Sequence, residues 1–194
     1  MTSDEIIRRL ARILHLDENA FIEVRDDARW TPVCVAVLVA SVFLAAIGAW
    51  LYGHTVLSTT PDRWLVDTVI LGTIITTLLF FAGVGVIYVL VTQGFRYNIA
   101  PDALLRVVTV SHLPFALSFL VFIPKLGFGF GMLSFMALFF YTVYGLRSTI
   151  MGANTFNLMI AVFAGFAVWA MVVPLVTDPG NDFFSGAFVY SLIA

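Results

Sequence analysis

The sequence predicts an all-α integral membrane protein, a bundle of five transmembrane helices preceded by a short amphipathic helix. Three observations lead to this prediction. Of the 194 residues, 61% are hydrophobic and only 11% are charged, which is far more apolar than an ordinary soluble domain. Five apolar runs each approach the ~20 residues that a hydrocarbon core of ~30 Å requires. The connections between these runs are short and leave no room for a second domain.

The chain starts with a short basic amphipathic helix. Thr2 and Glu5 fit a capping box at its N-terminus. Apolar and basic residues then separate onto different faces at helical spacing. We expect this helix either to lie on the anionic surface of the cytoplasmic leaflet or to dock on the protein's own membrane domain or on a partner. The apolar positions are Ile6, Leu10, Ile13 and Leu14, and the basic positions, which are candidates for an interaction site, are Arg8, Arg9 and Arg12.

Residues 17–29, DENAFIEVRDDAR, form a charged stretch with too few apolar positions for more than a short connector helix. The sequence therefore divides into three parts. These are a cytoplasmic segment 1–29, a five-helix transmembrane domain 30–177 and an outer-side apolar tail 178–194.

The transmembrane domain contains five predicted spans. Trp30, Trp50 and Tyr52 flank the first span, as interfacial anchors do. Small residues spaced four apart, such as Ala161 and Gly165, indicate close contacts between helices. The spans are residues 32–51, 65–91, 103–123, 130–146 and 156–176, and the glycine-rich stretch 127–131 is expected to be a tight outer turn.

The distribution of Lys and Arg predicts the orientation. An internal N-terminus puts eight of the ten basic residues on the cytoplasmic side and leaves Arg63 and Lys125 outside. We therefore expect a multi-pass protein of the bacterial cytoplasmic membrane, with its N-terminus inside and its C-terminus outside. Half of the basic residues lie in the first 29 positions of a chain with a net charge of −2, which argues against nucleic acid as a partner.

The third span carries the polar groups that need most explanation. Arg106 lies about 5 Å inside the cytoplasmic end at a rise of 1.5 Å per residue, so its side chain is expected to snorkel to the headgroups. Further along, Ser111, His112 and Pro114 form a cluster near mid-bilayer. Pro114 cannot donate to the carbonyl of Val110, so we expect a kink there, with nearby polar side chains satisfying the freed groups.

His112 also has functional interpretations. An intramembrane ionisable residue is a candidate for a proton relay or for an axial ligand of a haem or chlorin. A bis-histidine haem needs a second histidine at the same depth, but His54 lies at the outer end of span one and His15 precedes every span. We therefore interpret the cluster as structural, with His112 neutral and hydrogen-bonded, and expect no cofactor. Single-histidine ligation and a relay are the alternatives.

The sequence contains no motif that indicates catalysis. It has no phosphate-binding glycine loop, no His/Glu metal pair and no Ser/His/Asp set with convergent placement. The single cysteine, Cys34, lies in an apolar run and can form neither an intramolecular disulfide nor a Cys-based metal site. We expect a protein that is not an enzyme.

Several features, taken in order and spacing, resemble a known family. They are an F-x-E-V-x-x-D lead-in at Phe21, Glu23, Val24 and Asp27, a mid-helix proline at Pro114, a Pro-x-x-Gly turn at Pro124 and Gly127, and a polar loop at 152–155. Residues 16–48 and 103–169 carry most of the likeness, which covers about 17–176. On these features the chain resembles the bacterial branch of the Yip family, the Ypt/Rab-interacting membrane proteins.

The resemblance implies five spans and a cytoplasmic N-terminus, in agreement with the charge distribution. Eukaryotic members of the family are associated with small GTPases and with vesicle traffic. This sequence lacks their acidic Asp-Leu-x-Gly-Pro lead-in and has a short N-terminal segment, so GTPase binding is not carried over to it.

These observations favour a non-enzymatic membrane scaffold or adaptor that binds other integral membrane proteins or shapes membrane lipid. The alternative is an accessory subunit of a respiratory or photosynthetic membrane complex. A small transporter is disfavoured because no pair of interrupted helices repeats between two halves of the chain. Residues 183–194 of the tail are apolar and uncharged, and they are too short to cross a bilayer. We expect the tail to pack against another chain through Phe183, Phe184 and Phe188.

Overall fold

The computed structural model describes residues 2–56 and 65–176, and in these residues it is helical, without any strand. This confirms the predicted all-α class. A short helix comes first, and four helical segments are long and apolar enough to cross a membrane, one fewer than predicted. The four are Ala28–Thr55, Val66–Gly94, Pro101–Phe122 and Gly127–Thr149.

The helices follow one another through short connections. The bounds are α1 (Ser3–Leu14), α2 (Glu18–Asp26), a 3-10 turn (Ala28–Trp30), α3 (Thr31–Val56), α4 (Gly72–Val89), α5 (Pro101–Val110), a 3-10 helix (Leu113–Phe122), α6 (Gly127–Thr149) and α7 (Thr155–Val176). Two π-helical segments, Val66–Leu71 and Leu90–Gly94, extend α4 at its ends. Below, α1 and α2 are called the α1–α2 unit, and α3 to α7 the bundle.

The fifth predicted span corresponds to α7. The part whose side chains are described continuously, Thr155–Val168, is apolar but shorter than a membrane span. The outer tail, with Phe183, Phe184 and Phe188, lies outside the described residues. Its contact with another chain stays a prediction.

Helix starts follow signals that are visible in the sequence. The Thr2 hydroxyl accepts a hydrogen bond from the backbone N–H of Glu5 (3.4 Å) and caps α1. The Asp17 carboxylate caps α2 by accepting from the N–H of Asn19 (3.0 Å). Pro101 is the first residue of α5, a position where its missing N–H costs no helical hydrogen bond. These local interactions fix where the α1–α2 unit and the third span begin.

The glycine-rich stretch 127–131 is the first turn of α6 and not a separate outer turn. A Cβ atom at Gly127 would lie 2.0 Å from the carbonyl oxygen of Val121, so only glycine fits at this position. Backbone contact between the 3-10 helix and α6 thus overrides the low helix propensity of glycine, which led to the wrong prediction.

Helices α4 and α7 cross with almost no space between their backbones. A Cβ atom at Gly83 would lie 2.7 Å from the carbonyl oxygen of Gly165, and one at Gly165 would lie 2.8 Å from that of Gly83. Next to Gly165 along α7, Ala161 is fully buried. The small residues predicted in the fifth span therefore do lie at a helix contact, as is common in membrane bundles.

The α1–α2 unit packs against the bundle and shares its core. Ile13 of α1 and Phe21 of α2 are fully buried in one cluster with Val107 of α5 and Leu146 of α6. Trp30 is also fully buried there, so it is not the interfacial anchor that the sequence suggested. Of the two locations expected for α1, the structure thus has the docked one, against the protein's own membrane domain.

Two glycines on α4 provide a matched test of the α4–α7 crossing. Gly83→Ala should destabilise the protein by about 1–3 kcal/mol, because the new methyl group meets backbone atoms. Gly85→Ala should be neutral or slightly stabilising, because no atom lies within 4 Å of the Cβ position there. Reversible unfolding in detergent or bicelles measures both. Equal effects of the two substitutions would contradict the crossing.

Candidate functional site

Arg106 of α5 is buried and points into the protein. Only 4% of the residue is exposed, so it does not snorkel to the headgroups as the sequence suggested. Its guanidinium donates to the backbone carbonyls of Val24 (3.1 Å from Nε) and Arg25. It also donates to the Thr31 hydroxyl (3.3 Å) and the Asp102 carboxylate (2.8 Å). Four groups of the protein itself therefore accept hydrogen bonds from the charged guanidinium.

The two carbonyls that Arg106 binds belong to the last turn of α2 (Glu18–Asp26). Carbonyls in a last turn have no partner within their own helix and form the negative end of the helix dipole. A guanidinium group offers five donors in a fixed fork and suits such a site better than an ammonium group. Arg106 thus fastens the C-terminus of α2 to the bundle.

Arg25 extends this connection from α2 to α6. Its Nη1 donates to the carbonyl of Thr149 (2.6 Å), the last residue of α6, while Nε and Nη2 bind the Asp26 carboxylate. The bond from Arg25 lowers the pKa of Asp26 from its ordinary value, and the charge of Arg106 acts in the same direction. Helices α5, α2 and α6 are therefore joined in sequence by two arginines that each bind a helix C-terminus.

Arg9 and Arg12 of α1 are bound by carboxylates of the protein. Arg9 lies 3.1 Å from Glu23 and stacks over Trp30, with its guanidinium carbon 4.5 Å from the ring centroid. Arg12 donates to Asp17 (2.7 Å) and Glu23 (2.9 Å). These two side chains thus attach α1 to α2 and the 3-10 turn, and they are not free to bind an anionic leaflet.

Arg8 differs from the other two basic residues of α1. It is exposed and donates only to the backbone carbonyl of Asp4 (3.3 Å), and it pairs with no carboxylate in the described residues. Among the three predicted interaction candidates of α1, Arg8 alone keeps its charge available to an external partner.

The Ser111–His112–Pro114 cluster lies where the third span changes helix type. Helix α5 ends at Val110, and a 3-10 helix of ten residues begins at Leu113. Runs of 3-10 helix this long are uncommon. The Ser111 hydroxyl donates to the carbonyl of Val107 (2.8 Å) and lies 3.3 Å from that of Tyr141 on α6. The expected kink thus takes the form of a change in helix type, with polar side chains binding carbonyls at the junction.

His112 is fully buried at this junction. Its Nδ1 lies 2.9 Å from the carbonyl oxygen of Val108, and its ring packs edge-on against Phe80 with centroids 4.3 Å apart. The cavity beside it has a volume of about 10 Å³, far below the size of a haem or chlorin ring. No group of three or more metal-ligating side chains occurs in the described part of the chain.

The residues of the F-x-E-V-x-x-D stretch all take part in this arrangement. Phe21 and Val24 are fully buried. Glu23 binds Arg9 and Arg12 of α1, and Asp27 binds Arg29. Sequence reasoning identified these positions through the resemblance but did not identify their contact with Arg106. A signal was present in the sequence, because an arginine inside an apolar span requires a partner.

The fold and these contacts define the class as a multi-pass α-helical membrane protein with an α1–α2 unit fixed to its bundle. The chain matches no protein-family model, no curated protein sequence and no solved structure.

Arg106→Gln should release α2 from the bundle. The substitution removes a charged donor from two carbonyls and should cost about 3 kcal/mol, since hydrogen bonds to charged groups contribute about 1.5–3 kcal/mol each. Hydrogen exchange of the α2 amides in bicelles should accelerate strongly. Arg8→Gln, on an exposed arginine, is the matched control and should leave α2 exchange unchanged. Unchanged protection of α2 in Arg106→Gln would disprove the contact.

Acid should loosen the attachment of α1 to α2 and to the bundle. Hydrogen bonds from Arg12 and Arg29 lower the pKa of Asp17 and of Asp27, so both carboxylates stabilise the folded form above their unfolded pKa of about 4. This stabilisation is lost as the pH falls through the lowered folded pKa. A spin-label distance between Ser3→Cys and Met151→Cys should therefore broaden below about pH 4.

Asp17→Asn is the matched control for the acid experiment. Asparagine keeps a helix-capping acceptor but carries no charge, so this variant should show a smaller pH dependence. An identical pH response with and without the Asp17 charge would show that other groups control the transition.

Proposed function

We propose that the chain is a non-enzymatic integral membrane scaffold or adaptor of the Yip-like type, in the bacterial cytoplasmic membrane with its N-terminus inside. The observation that carries this proposal is the attachment of the α1–α2 unit to the bundle through the buried Arg106. Most charged groups of the unit hold helices together, and the depression lined by Asp4, Ile7 and Arg8 is an open surface and not an enclosed cavity. Such an arrangement is better suited to forming a binding surface than to catalysis.

A fixed α1–α2 unit favours recognition by a membrane partner. A partner that binds a preorganised surface does not bear the entropic cost of ordering a mobile segment. The exposed side of the unit and of the 3-10 turn after it carries Glu18, Asp26 and Arg29, which give the proposed cytoplasmic face charges of both signs. Other integral membrane proteins are the proposed partners, and nucleic acid and GTPases are not.

Membrane lipid is the second proposed partner, and it contacts α1. Ile7 and Leu14, seven residues apart on its outer side, are 65% and 47% exposed. The Tyr141 hydroxyl donates to the carbonyl of Leu14 (2.6 Å) from a position about 12 Å before the end of α6. Next to it, Phe140 faces outward on a predicted span. The outer side of α1 therefore continues the apolar surface of α6, with Arg8 beside it for a lipid phosphate.

The lead-in residues of the Yip-like resemblance have structural roles in this chain. Phe21 and Val24 enter the core, and Glu23 binds the α1 arginines, so the stretch acts as the attachment element between α1 and the bundle. Gly127, in the Pro-x-x-Gly turn, is required by its backbone contact with Val121. These contacts give a physical reason for the residue types in the lead-in and in the Pro-x-x-Gly turn.

A small transporter ranks below the accessory subunit, but it has one observation in its favour, because the third span is discontinuous near its middle. Broken helices near the bilayer midplane are typical of transporter binding sites. It is the weaker candidate, since Ser111 and Thr109 bind carbonyls of their own turn and the described residues contain no second span broken in this way.

Site-specific photocrosslinking in intact cells tests the adaptor proposal. A crosslinking residue at Glu18 should give a discrete adduct with one integral membrane protein, and Arg106→Gln should abolish that adduct because the α1–α2 unit detaches. The control position is Leu78, which faces outward on α4. If a crosslinking residue at Glu18 yields only lipid adducts, a protein partner is contradicted. An absorption spectrum of the copurified assembly then distinguishes an accessory subunit of a respiratory or photosynthetic complex from other adaptors.

Spin labels on α1 test the lipid contact separately. Because Cys34 is buried, a label can be directed to Ile7→Cys or Leu14→Cys. In bilayers both labels should be relaxed more by oxygen than by a water-soluble nickel chelate, whereas a label at Glu18→Cys should show the reverse. Water-like accessibility at all three positions would place the outer side of α1 away from the lipid.

A further inference from the structure

One ring nitrogen of His112 has no hydrogen-bonding partner among the described protein groups. The residue is fully buried, and the orphan atom is Nε2. The carbonyl of Val108 can only accept, so the proton of the neutral ring lies on Nδ1, which is 2.9 Å from that oxygen. Nε2 consequently carries a free lone pair. Inside a membrane bundle such an acceptor is normally satisfied, because no bulk solvent reaches it.

A small cavity lies beside this ring, between α4, α5 and α7. Its volume of about 10 Å³ is close to the minimum that holds one water molecule. Its lining is apolar apart from His112 and the backbone of two glycines. The lining residues are Phe80, Gly83, Val84, Ile87, Val108, His112, Gly165 and Phe166.

Gly83 and Gly165 line the cavity as well, and their backbones carry further polar atoms. The carbonyl oxygens of Gly83 and Gly165 each lie within 2.8 Å of the other glycine's Cβ position, so both are at the α4–α7 crossing. A carbonyl oxygen has two lone pairs, and the helical hydrogen bond uses only one of them. The cavity is therefore lined by one free nitrogen acceptor and by two residues whose carbonyl oxygens have spare hydrogen-bonding capacity.

We propose that this cavity is a binding site for a single internal water molecule. The water donates one hydrogen to Nε2 of His112 and the other to the carbonyl of Gly83 or Gly165. The volume excludes any larger ligand, and a site with one nitrogen ligand and apolar walls does not suit a metal ion. Bound in this way, the water links the broken third span to the α4–α7 crossing. The inference is independent of the scaffold proposal.

Solid-state nuclear magnetic resonance of ¹⁵N-histidine-labelled protein in bilayers tests the site. The chain has three histidines, so His112→Phe assigns the signal by its loss. We expect Nε2 of His112 to be unprotonated and hydrogen-bonded, with magnetisation transfer from a water that exchanges slowly with bulk. A protonated Nε2, or an unprotonated Nε2 without contact to water, would overturn the proposal.

A pair of valine substitutions locates the water. Val84→Ile adds one methyl group at the cavity wall and should displace the water, so the water contact of His112 should disappear in a folded protein. Val143→Ile adds the same group at a buried position on α6 that does not line the cavity and should leave the contact intact. If Val84→Ile and Val143→Ile both keep the water contact, the water lies elsewhere and the assigned site is wrong.

Discussion

The hydrogen bonds from Arg106 to the C-terminus of α2 are the interaction on which the rest of the described structure depends. A guanidinium enclosed by apolar helices is unfavourable unless every donor finds an acceptor. Here the acceptors are carbonyls in the last turn of α2, which have no partner within that helix. The buried guanidinium and these carbonyls therefore supply the hydrogen bonds that each would otherwise lack. The position of α2 then sets where α1 docks, through Glu23, and where α6 ends, through Arg25.

A second level of organisation lies deeper in the bundle, at the junction after Val110. There the third span changes from α-helix to 3-10 helix, and the 3-10 part packs closely on its neighbours. A Cβ atom at Gly48 of α3 would lie 2.5 Å from the carbonyl oxygen of Phe119. The change of helix type lets backbones touch where side chains would keep them apart. The protein thus uses charge to hold its N-terminal helices and glycine contacts to hold its membrane helices.

The sequence predicted those features that depend on one segment at a time. Apolar length located four of the five predicted spans, and the Thr2 cap located α1, because both are local properties. The sequence did not predict interactions between residues that are far apart in the chain. Arg106 does lie near the start of its helical segment, but its acceptor at Val24 lies 82 residues away in the chain, so a snorkelling side chain was expected instead. For His112 the local bond to Val108 was foreseeable, whereas the cavity formed by Gly83 and Gly165 depends on how two other helices cross.

Chemical rescue of Arg106→Ala tests the central claim most directly. The substitution leaves a guanidinium-sized gap beside the last turn of α2. The contact between α2 and the bundle can be followed by the distance between spin labels at Glu18→Cys and Met151→Cys. We predict a broad distance distribution in Arg106→Ala that narrows to the parent distance when methylguanidinium is added, but not with methylammonium at equal ionic strength. A narrow parent-like distance in Arg106→Ala without any additive would show that the α1–α2 unit is held by something other than this arginine.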